Sequence, residues 1–366
     1  MRNFLFPLLF LPICLFSQSK EHNFSVSVNG HYGFIIPHYR DMRYFTTSHI
    51  AGAEINFVKL PNDGFDEEGT SCTIPERGLS MVYFNLGNPE ILGSVIAASP
   101  FMNFKLNHSE KFKLFFRVGS GFGVIAKPYN RITNHKENAI GSHINAFMNI
   151  RMNAHFRLSE KMKLETGIGI SHLSNGSFAV PNLGLNLCTA DIGVHYTFGN
   201  TVCTNNDSTN KYLQKKYFLV YATAGLKEIS PPGGKKYPCF NLSVNREKRF
   251  SRTGKYLYGI EFTYNGAYYA DFKRDTLTHV AAVQNIQLGI KAGYSVVAGR
   301  LSFPIEMGVY LYSYEKDNGP IFQRIGLRYQ INKNWTVCNT LKTHWAKADF
   351  SEFGVGYRFG EKTIKK

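Results

Sequence analysis

The sequence predicts an all-β fold, an antiparallel transmembrane β-barrel, and three observations support this. The chain opens with an export signal, long segments alternate apolar with polar residues, and aromatic residues are frequent. Aromatic residues make up 14% of the 366 residues, with 30 Phe and 21 Tyr, which suits the aromatic girdles of outer-membrane barrels. No segment after the export signal offers 18 consecutive apolar residues, so we expect strands rather than helices to cross the bilayer.

The first residues have the order of a secretory signal peptide. Arg2 gives a positive start, an apolar run extends from Leu5 to Phe16, and the small or polar residues Ser17–Ser19 follow. The run is too short to span a bilayer as a permanent helix. We therefore expect residues 1–18 to be a signal peptide and the chain to reach the bacterial outer membrane through the secretory pathway.

Long alternating segments indicate strands with two different faces. Between residues 144 and 158 the even-numbered residues are apolar, whereas most odd-numbered residues are polar. The same alternation recurs over residues 111–118 and 301–312. A tilted strand needs about 9–11 residues to cross a bilayer, whereas strands of soluble sandwiches average about 5–6 residues. The length of these segments favours a membrane barrel.

The strands divide into two halves joined by a polar segment. About eight strands are predicted before residue 200 and about eight more after residue 214. The first eight are expected near residues 22–37, 47–58, 78–86, 92–106, 111–126, 140–158, 161–173 and 184–199. This divides the chain into a first barrel half over 19–200, a linker over 201–213 and a second half over 214–366.

The two halves resemble each other in sequence, which indicates an ancient duplication. For example, ADIGVHYTFG at 190–199 is similar to SEFGVGYRFG at 351–360. A duplication leaves two architectures open, one barrel of about 14–16 strands or two eight-stranded barrels in tandem. We expect the single barrel, because it needs only one closure and one bilayer footprint.

One segment, residues 167–186, has the character of a catalytic site. On the seventh strand, His172 and Ser174 continue the even-numbered apolar face that should point at lipid. Two residues apart on one face, their Cα atoms lie about 6.5–7 Å apart, close enough for an imidazole to activate a hydroxyl. Polar side chains are costly on a lipid face, so this pair requires a functional reason. If both termini are periplasmic, the pair lies at the outer surface, where a lipid ester could reach it sideways.

The same segment resembles the active-site segment of PagL-type lipid A 3-O-deacylases, a family of eight-stranded outer-membrane barrels. The family pattern is His-x-Ser-Asn, followed after a short loop by Pro-Asn-x-Gly-x-Glu. Six positions of this sequence match it in register, namely His172, Ser174, Asn175, Pro181, Asn182 and Gly184. The resemblance implies hydrolysis of an ester-linked acyl chain, with Ser174 as nucleophile and His172 as general base.

The sequence departs from the family pattern at the third member of the triad. The register places Asn186 where the family has its glutamate, on the same outward face as His172. An amide can orient an imidazole through a hydrogen bond, as in Cys-His-Asn proteases, although it cannot stabilise imidazolium with a full charge. We expect an oxyanion hole from backbone N–H groups near Asn175 and Gly176, with Asn182 as a side-chain donor.

Other residues point away from metals, cofactors and nucleic acid. His143, His155 and His195 fall on lumen or loop positions without ligand spacing, so no metal site is predicted, and the scheme needs no cofactor. The five cysteines after residue 18 lack CxxC spacing. Because the net charge is +16 and an exported barrel meets lipopolysaccharide, lipid A of the outer leaflet is the expected partner rather than nucleic acid. Homodimerisation stays open.

Two functions therefore compete. The first is an outer-membrane esterase acting on lipid A. The second is a non-enzymatic barrel, such as a channel, a structural protein or a deacylase that has lost its activity. The absent glutamate and the lack of a second motif favour the latter, since His344 is followed by Trp345 and has no hydroxyl two residues on.

Overall fold

A computed structural model describes residues 24–60, 63–65, 71–73, 75–107, 109, 111–198, 214–251, 253–274, 281–345 and 347–364. The predicted signal peptide at 1–18 and the predicted linker at 201–213 lie outside the described residues. No helix in the described ranges is both long and apolar enough to cross a bilayer.

The first half forms a closed antiparallel barrel of eight strands. Each strand coincides with one of the segments expected from alternation. The strands are β1 (Phe24–Ile35), β2 (Ile50–Lys59), β5 (Glu76–Asn85), β6 (Ser94–Lys105), β7 (Phe112–Ile125), β8 (Ile144–Arg157), β9 (Met162–Ser174) and β10 (Leu185–Phe198). A short hairpin of β3 (Asp63–Phe65) and β4 (Ser71–Thr73) lies between β2 and β5 in the chain.

The second half forms another closed antiparallel barrel of eight strands. These are β11 (Gln214–Glu228), β12 (Lys236–Arg249), β13 (Gly254–Asn265), β14 (Ile286–Ala298), β15 (Leu301–Ser313), β16 (Ile321–Gln330), β17 (Trp335–His344) and β18 (Lys347–Ile364). One short helix, α1 (Gly266–Arg274), follows β13.

Each barrel closes on itself, so the expectation of one barrel of 14–16 strands is wrong and the tandem alternative is observed. The first strand β1 pairs with β10 over twelve registered positions, from Phe24 opposite Phe198 to Ile35 opposite Leu187. In the same way β11 pairs with β18. The physical reason is that every edge of each eight-stranded sheet finds its partner within its own half, so no strand edge is left for the other half.

The walls of both barrels separate apolar from polar residues as alternation predicts. Along β9 the even-numbered Ile168 and Ile170 are exposed on the outer wall, whereas the odd-numbered Glu165 and Ser171 are buried in the lumen. An eight-stranded barrel has an interior just wide enough for side chains. The lumen of each barrel accordingly holds buried ion pairs. They involve Glu54, Arg117, Arg151, Glu165 and Asp191 in the first barrel and Glu247, Glu261, Lys291, Glu306, Arg324, Arg328 and Glu352 in the second.

One end of the first barrel is closed by apolar residues instead of charges. A buried cluster collects strand ends and loops there, and it includes Phe45, Phe147, Leu173 and Leu185. Leu173 and Leu185 oppose each other across β9 and β10 and are fully buried. Burying such side chains stabilises the fold by about 1.5–3 kcal/mol each. This packing inside the barrel holds the end of β9 and the start of β10 in place. The predicted site lies on the outer face of the same strand ends.

Candidate active site

The candidate site lies where β9 ends and β10 begins. His172 is directly opposite Asn186 on β10 and opposite Met148 on β8, while Ser174 is opposite Ala146. The side chains of Leu173 and Leu185 point inward into the apolar cluster. Because side chains alternate along a strand, His172, Ser174 and Asn186 share the outer face. The sequence register thus predicted the neighbourhood of these three residues, whereas their catalytic roles stay predictions.

Asn186 binds the imidazole directly. Its Oδ1 lies 2.6 Å from His172 Nδ1. An amide oxygen only accepts hydrogen bonds, so Nδ1 of His172 carries the proton and Nε2 presents its lone pair. This is the tautomer that a general base needs, and fixing it is the task of the third member of a catalytic triad. Both side chains are half-buried.

A residue that sequence reasoning missed extends this contact. His38 follows β1, and its Nδ1 lies 3.1 Å from Nδ2 of Asn186, while its Nε2 lies 2.9 Å from the carbonyl oxygen of Leu183. The amide nitrogen only donates, so His38 accepts at Nδ1 and donates from Nε2. The chain of hydrogen bonds therefore runs from His38 through Asn186 to His172, and each member fixes the orientation of the next.

Ser174 has the outward parity that was expected, but its side chain is buried. It is only 5% exposed. It is the last residue of β9. No hydrogen bond joins its Oγ to His172, although both residues are described. Catalytic hydrogen bonds commonly tighten only when the substrate is bound.

In the loop after β9, Asn175 makes hydrogen bonds through both its backbone and its side chain. The backbone N–H of Asn175 donates to Oδ1 of Asn182 at 2.9 Å, so this N–H is not available to an oxyanion. The Oδ1 of Asn175 accepts from the N–H of Ala179 at 3.2 Å. Its Nδ2 is buried and has no partner in the described part of the chain. The side-chain amide of Asn175 is therefore a buried donor without a partner, whereas its backbone N–H is occupied. The roles of Gly176 and Asn182 in the predicted oxyanion hole stay predictions.

The second barrel holds the same loop from the other side. Ser351 N–H donates to the carbonyl of Gly176 at 3.1 Å, and Glu228 N–H donates to the carbonyl of Ser177 at 2.8 Å. The hydroxyl of Ser177 donates to the carbonyl of Ala348 at 3.0 Å. Gly176 and Ser177 both have positive φ, +60° and +64°. For Ser177 this is a strained conformation, and such strain persists only where the surroundings determine it.

The loop between β7 and β8 supports the end of the β9–β10 loop that contains Asn182 and Gly184. The N–H of Gly184 donates to the carbonyl of Ala139 at 3.0 Å, and Ile140 pairs with Asn182. The carboxyl group of Glu137 accepts from the backbone N–H groups of Ala139 and Ile140. Burial raises the pKa of Glu137 to about 7. Because burial disfavours the ionised form, we expect the stability of this loop to change with pH in the neutral range.

Gly184 allows this loop to pass close to the imidazole. A Cβ at this position would lie 2.8 Å from Cε1 of His172, and the φ of Gly184 is +83°. Both the close approach and the left-handed backbone require glycine. The glycine of the motif is thus explained by the space that His172 occupies.

The other predicted histidines lie elsewhere. His344 ends β17 and binds the hydroxyl of Tyr310 at 2.7 Å, so the second barrel has no equivalent of the His172 and Ser174 pair among its described residues. His155 and His195 meet Glu165 in the first lumen, near the strand ends opposite the site. The three residues have no ligand spacing in the sequence, because they are brought together only by strand register.

Comparison with known proteins assigns a family to both halves. The family model described as lipid A 3-O-deacylase (PagL) matches residues 60–195, and the model described as acyloxyacyl hydrolase, C-terminal domain, matches residues 216–362. No curated protein sequence matches the chain.

Solved structures give only distant likenesses. Similar chains include a mutant of the Rh. blastica porin, with 11% identity and a TM-score of 0.20, and a triple mutant of the Rhodopseudomonas blastica porin, with 8% identity and a TM-score of 0.19. Each alignment covers 92% of this chain and 100% of the porin. Scores this low carry no weight for fold or function. The two family models together span most of the chain, and the chain belongs to the PagL family of lipid A 3-O-deacylases.

Proposed function

We propose that the protein is an outer-membrane esterase that removes an ester-linked acyl chain from lipid A with a serine nucleophile. The substrate is the lipopolysaccharide of the outer leaflet, and the chain reaches the outer membrane through the secretory pathway. The family supports deacylation of lipid A. The residues of the first barrel support the mechanism.

In the proposed reaction Ser174 Oγ attacks the acyl carbonyl while its proton passes to Nε2 of His172. The resulting oxyanion receives a hydrogen bond from Nδ2 of Asn175. As the tetrahedral intermediate collapses, the proton on His172 moves to the departing sugar oxygen, which leaves as a hydroxyl. Water then hydrolyses the acyl-serine through the same histidine, and a free fatty acid is released. One oxyanion donor typically contributes about 10²–10³ in rate.

One observation carries the proposal. The hydrogen-bond chain from His38 through Asn186 to His172 leaves the lone pair of Nε2 free on the face that bears Ser174. A histidine that served only as wall or girdle would not need a partner that is itself held in place by a second histidine. The burial of Ser174 also limits water at the reacting centre, and electrostatic interactions are stronger in such a place.

The proposal is tested by mass spectrometry of purified lipid A incubated with the detergent-solubilised protein. Wild type should release one ester-linked acyl chain, and Ser174→Ala or His172→Ala should each lower the rate by several orders of magnitude. Ser171→Ala is the matched control, since Ser171 lies on the same strand but faces the lumen, where it binds Asn149. Wild-type protein that leaves every ester intact would favour a deacylase that has lost its activity.

The alternative of a channel finds less support. Both lumens are filled with buried charged side chains of the described strands, and an eight-stranded barrel leaves little room for an aqueous path beside them. A polar but packed interior serves stability of the barrel rather than passage of solutes.

A further inference from the structure

Three buried side chains meet in the lumen of the first barrel, far from the proposed esterase site. His155 on β8 is directly opposite Glu165 on β9, and His195 on β10 is opposite Lys163, two residues along the strand from Glu165. All three point inward, with exposures of 2%, 0% and 1% for His155, Glu165 and His195. Glu165 precedes His172 by seven residues, so about 23 Å of strand separates the two places.

The facing atoms of this cluster are not hydrogen-bonded to one another. His155 Nε2 lies 3.7 Å from Glu165 Oε1, and His195 Nδ1 lies 3.6 Å from Glu165 Oε2. Within the described part of the chain, His155 Nε2, His195 Nδ1 and Glu165 Oε2 have no hydrogen-bond partner at all. Leaving a buried polar atom unpaired costs roughly 1–3 kcal/mol. The two imidazole nitrogens face the two oxygens of one carboxylate at distances longer than a hydrogen bond, which indicates that a ligand belongs between them.

The spacing suits a metal ion better than direct hydrogen bonds. Zinc binds histidine nitrogen and carboxylate oxygen at about 2.0–2.2 Å in a tetrahedron, which places neighbouring ligand atoms about 3.3–3.5 Å apart. The observed separations are slightly longer, and the ligand atoms of all three residues lie within 4.8 Å of one another. Two imidazoles and one carboxylate form a common zinc ligand set that leaves the fourth position to water.

The surroundings also orient the carboxylate. Asn153 Nδ2 donates to Glu165 Oε1 at 3.3 Å, and Arg117 Nη2 lies 3.6 Å from the same oxygen. Outer contacts of this kind commonly hold metal-binding carboxylates in place. The ion pairs of this lumen link three carboxylates with two guanidinium groups. These groups are Glu54, Glu165 and Asp191 against Arg117 and Arg151.

We propose that His155, Glu165 and His195 form a binding site for a divalent transition metal, with zinc as the fitting ion. The metal links β8, β9 and β10 inside the barrel. Two of these strands, β9 and β10, carry the proposed esterase site, but at the distance given above the ion takes no part in that reaction. Its role is to stabilise the barrel wall, and it is independent of whether the protein hydrolyses lipid A.

Direct measurement of bound metal tests the proposal. Untagged protein is folded in detergent with zinc, freed of excess metal, and examined by elemental analysis, with Co²⁺ as a spectroscopic probe. We expect about one zinc ion per chain and the intense visible bands of tetrahedral cobalt. Because loss of a residue that merely supports a ligand already weakens metal binding by roughly 10- to 100-fold, His155→Gln and His195→Gln should each weaken it by at least about 100-fold.

His31→Gln is the matched control. His31 is a buried lumen histidine of the same barrel that binds Glu54 at 3.0 Å and is not part of the cluster, so this variant should keep its zinc. Folded wild-type protein that binds no zinc and gives no cobalt bands would overturn the proposal. Equal metal loss in the control and the cluster variants would do the same, and the wild-type result decides even if a variant does not fold.

Discussion

Replacing Asn186 with leucine tests the residue that differs from the family pattern. The change removes the 2.6 Å contact with His172 and the 3.1 Å contact with His38, while an apolar side chain is accepted on the outer wall of a barrel. We therefore expect a folded protein whose imidazole is no longer held in one tautomer.

The size of the effect follows from the two hydrogen bonds. At roughly 0.5–1.5 kcal/mol each they amount to about 1–3 kcal/mol. One factor of ten in rate corresponds to about 1.4 kcal/mol, so the rate should fall by roughly 5- to 150-fold. His38→Ala removes only the outer bond, and its rate should fall by roughly 2- to 12-fold.

The rate is measured as fatty acid released from lipid A, with heat-modifiable migration in gels as the check on folding. Ala190→Leu is the matched control, because Ala190 lies on the same outward face of β10, four residues after Asn186. This variant should leave the rate unchanged. Asn186→Glu should preserve or raise the rate, because a carboxylate also stabilises imidazolium. If Asn186→Leu hydrolyses lipid A as fast as wild type, Asn186 does not orient His172 and the reasoning is refuted.

Three further predictions concern the loops around the site. Gly176→Ala would place a Cβ against Ser351 Oγ at a φ of +60°, so the rate of deacylation should fall by about tenfold or more. Adding Ser351→Gly should restore part of the lost rate. No recovery in the double variant would argue against support of the loop by the second barrel. Gly184→Ala should abolish most activity through contact with His172 Cε1 while the barrel stays folded, and kinetics on folded protein equal to wild type would contradict this. The pKa of Glu137 is raised from 4.5 to about 7, so its contribution to loop stability is complete below about pH 4.5 and is lost as the pH rises through 7. Hydrogen exchange of the Ala139 and Ile140 amides should quicken over that range in wild type and much less in Glu137→Gln, whereas the same pH profile in both proteins would exclude Glu137 as the cause.

The sequence by itself was sufficient to predict the positions of the strands in the first half and which residues of the motif lie beside one another. Period-two alternation reflects a wall with one apolar and one polar face, so the eight strands of the first half were located from residue pattern alone. The same parity put His172, Ser174 and Asn186 on one face, because side chains alternate strictly along a strand. The spacing across the loop then predicted that Asn186 lies beside His172, and the two are opposite each other in the structure.

Closure of the barrels was decided only by the tertiary structure. Which edge strand pairs with which is a long-range choice that leaves no mark on local periodicity, so one barrel and two barrels were compatible with the same pattern. The choice determines the site: because β1 pairs with β10, His38 comes within reach of Asn186, whereas in one large barrel β1 would pair with the last strand of the second half. The support of Gly176 by Ser351 and the contact of His38 with Asn186 could not be predicted from the local pattern either. They depend on residues that are distant in sequence and are brought together by strand pairing and by packing of one barrel against the other.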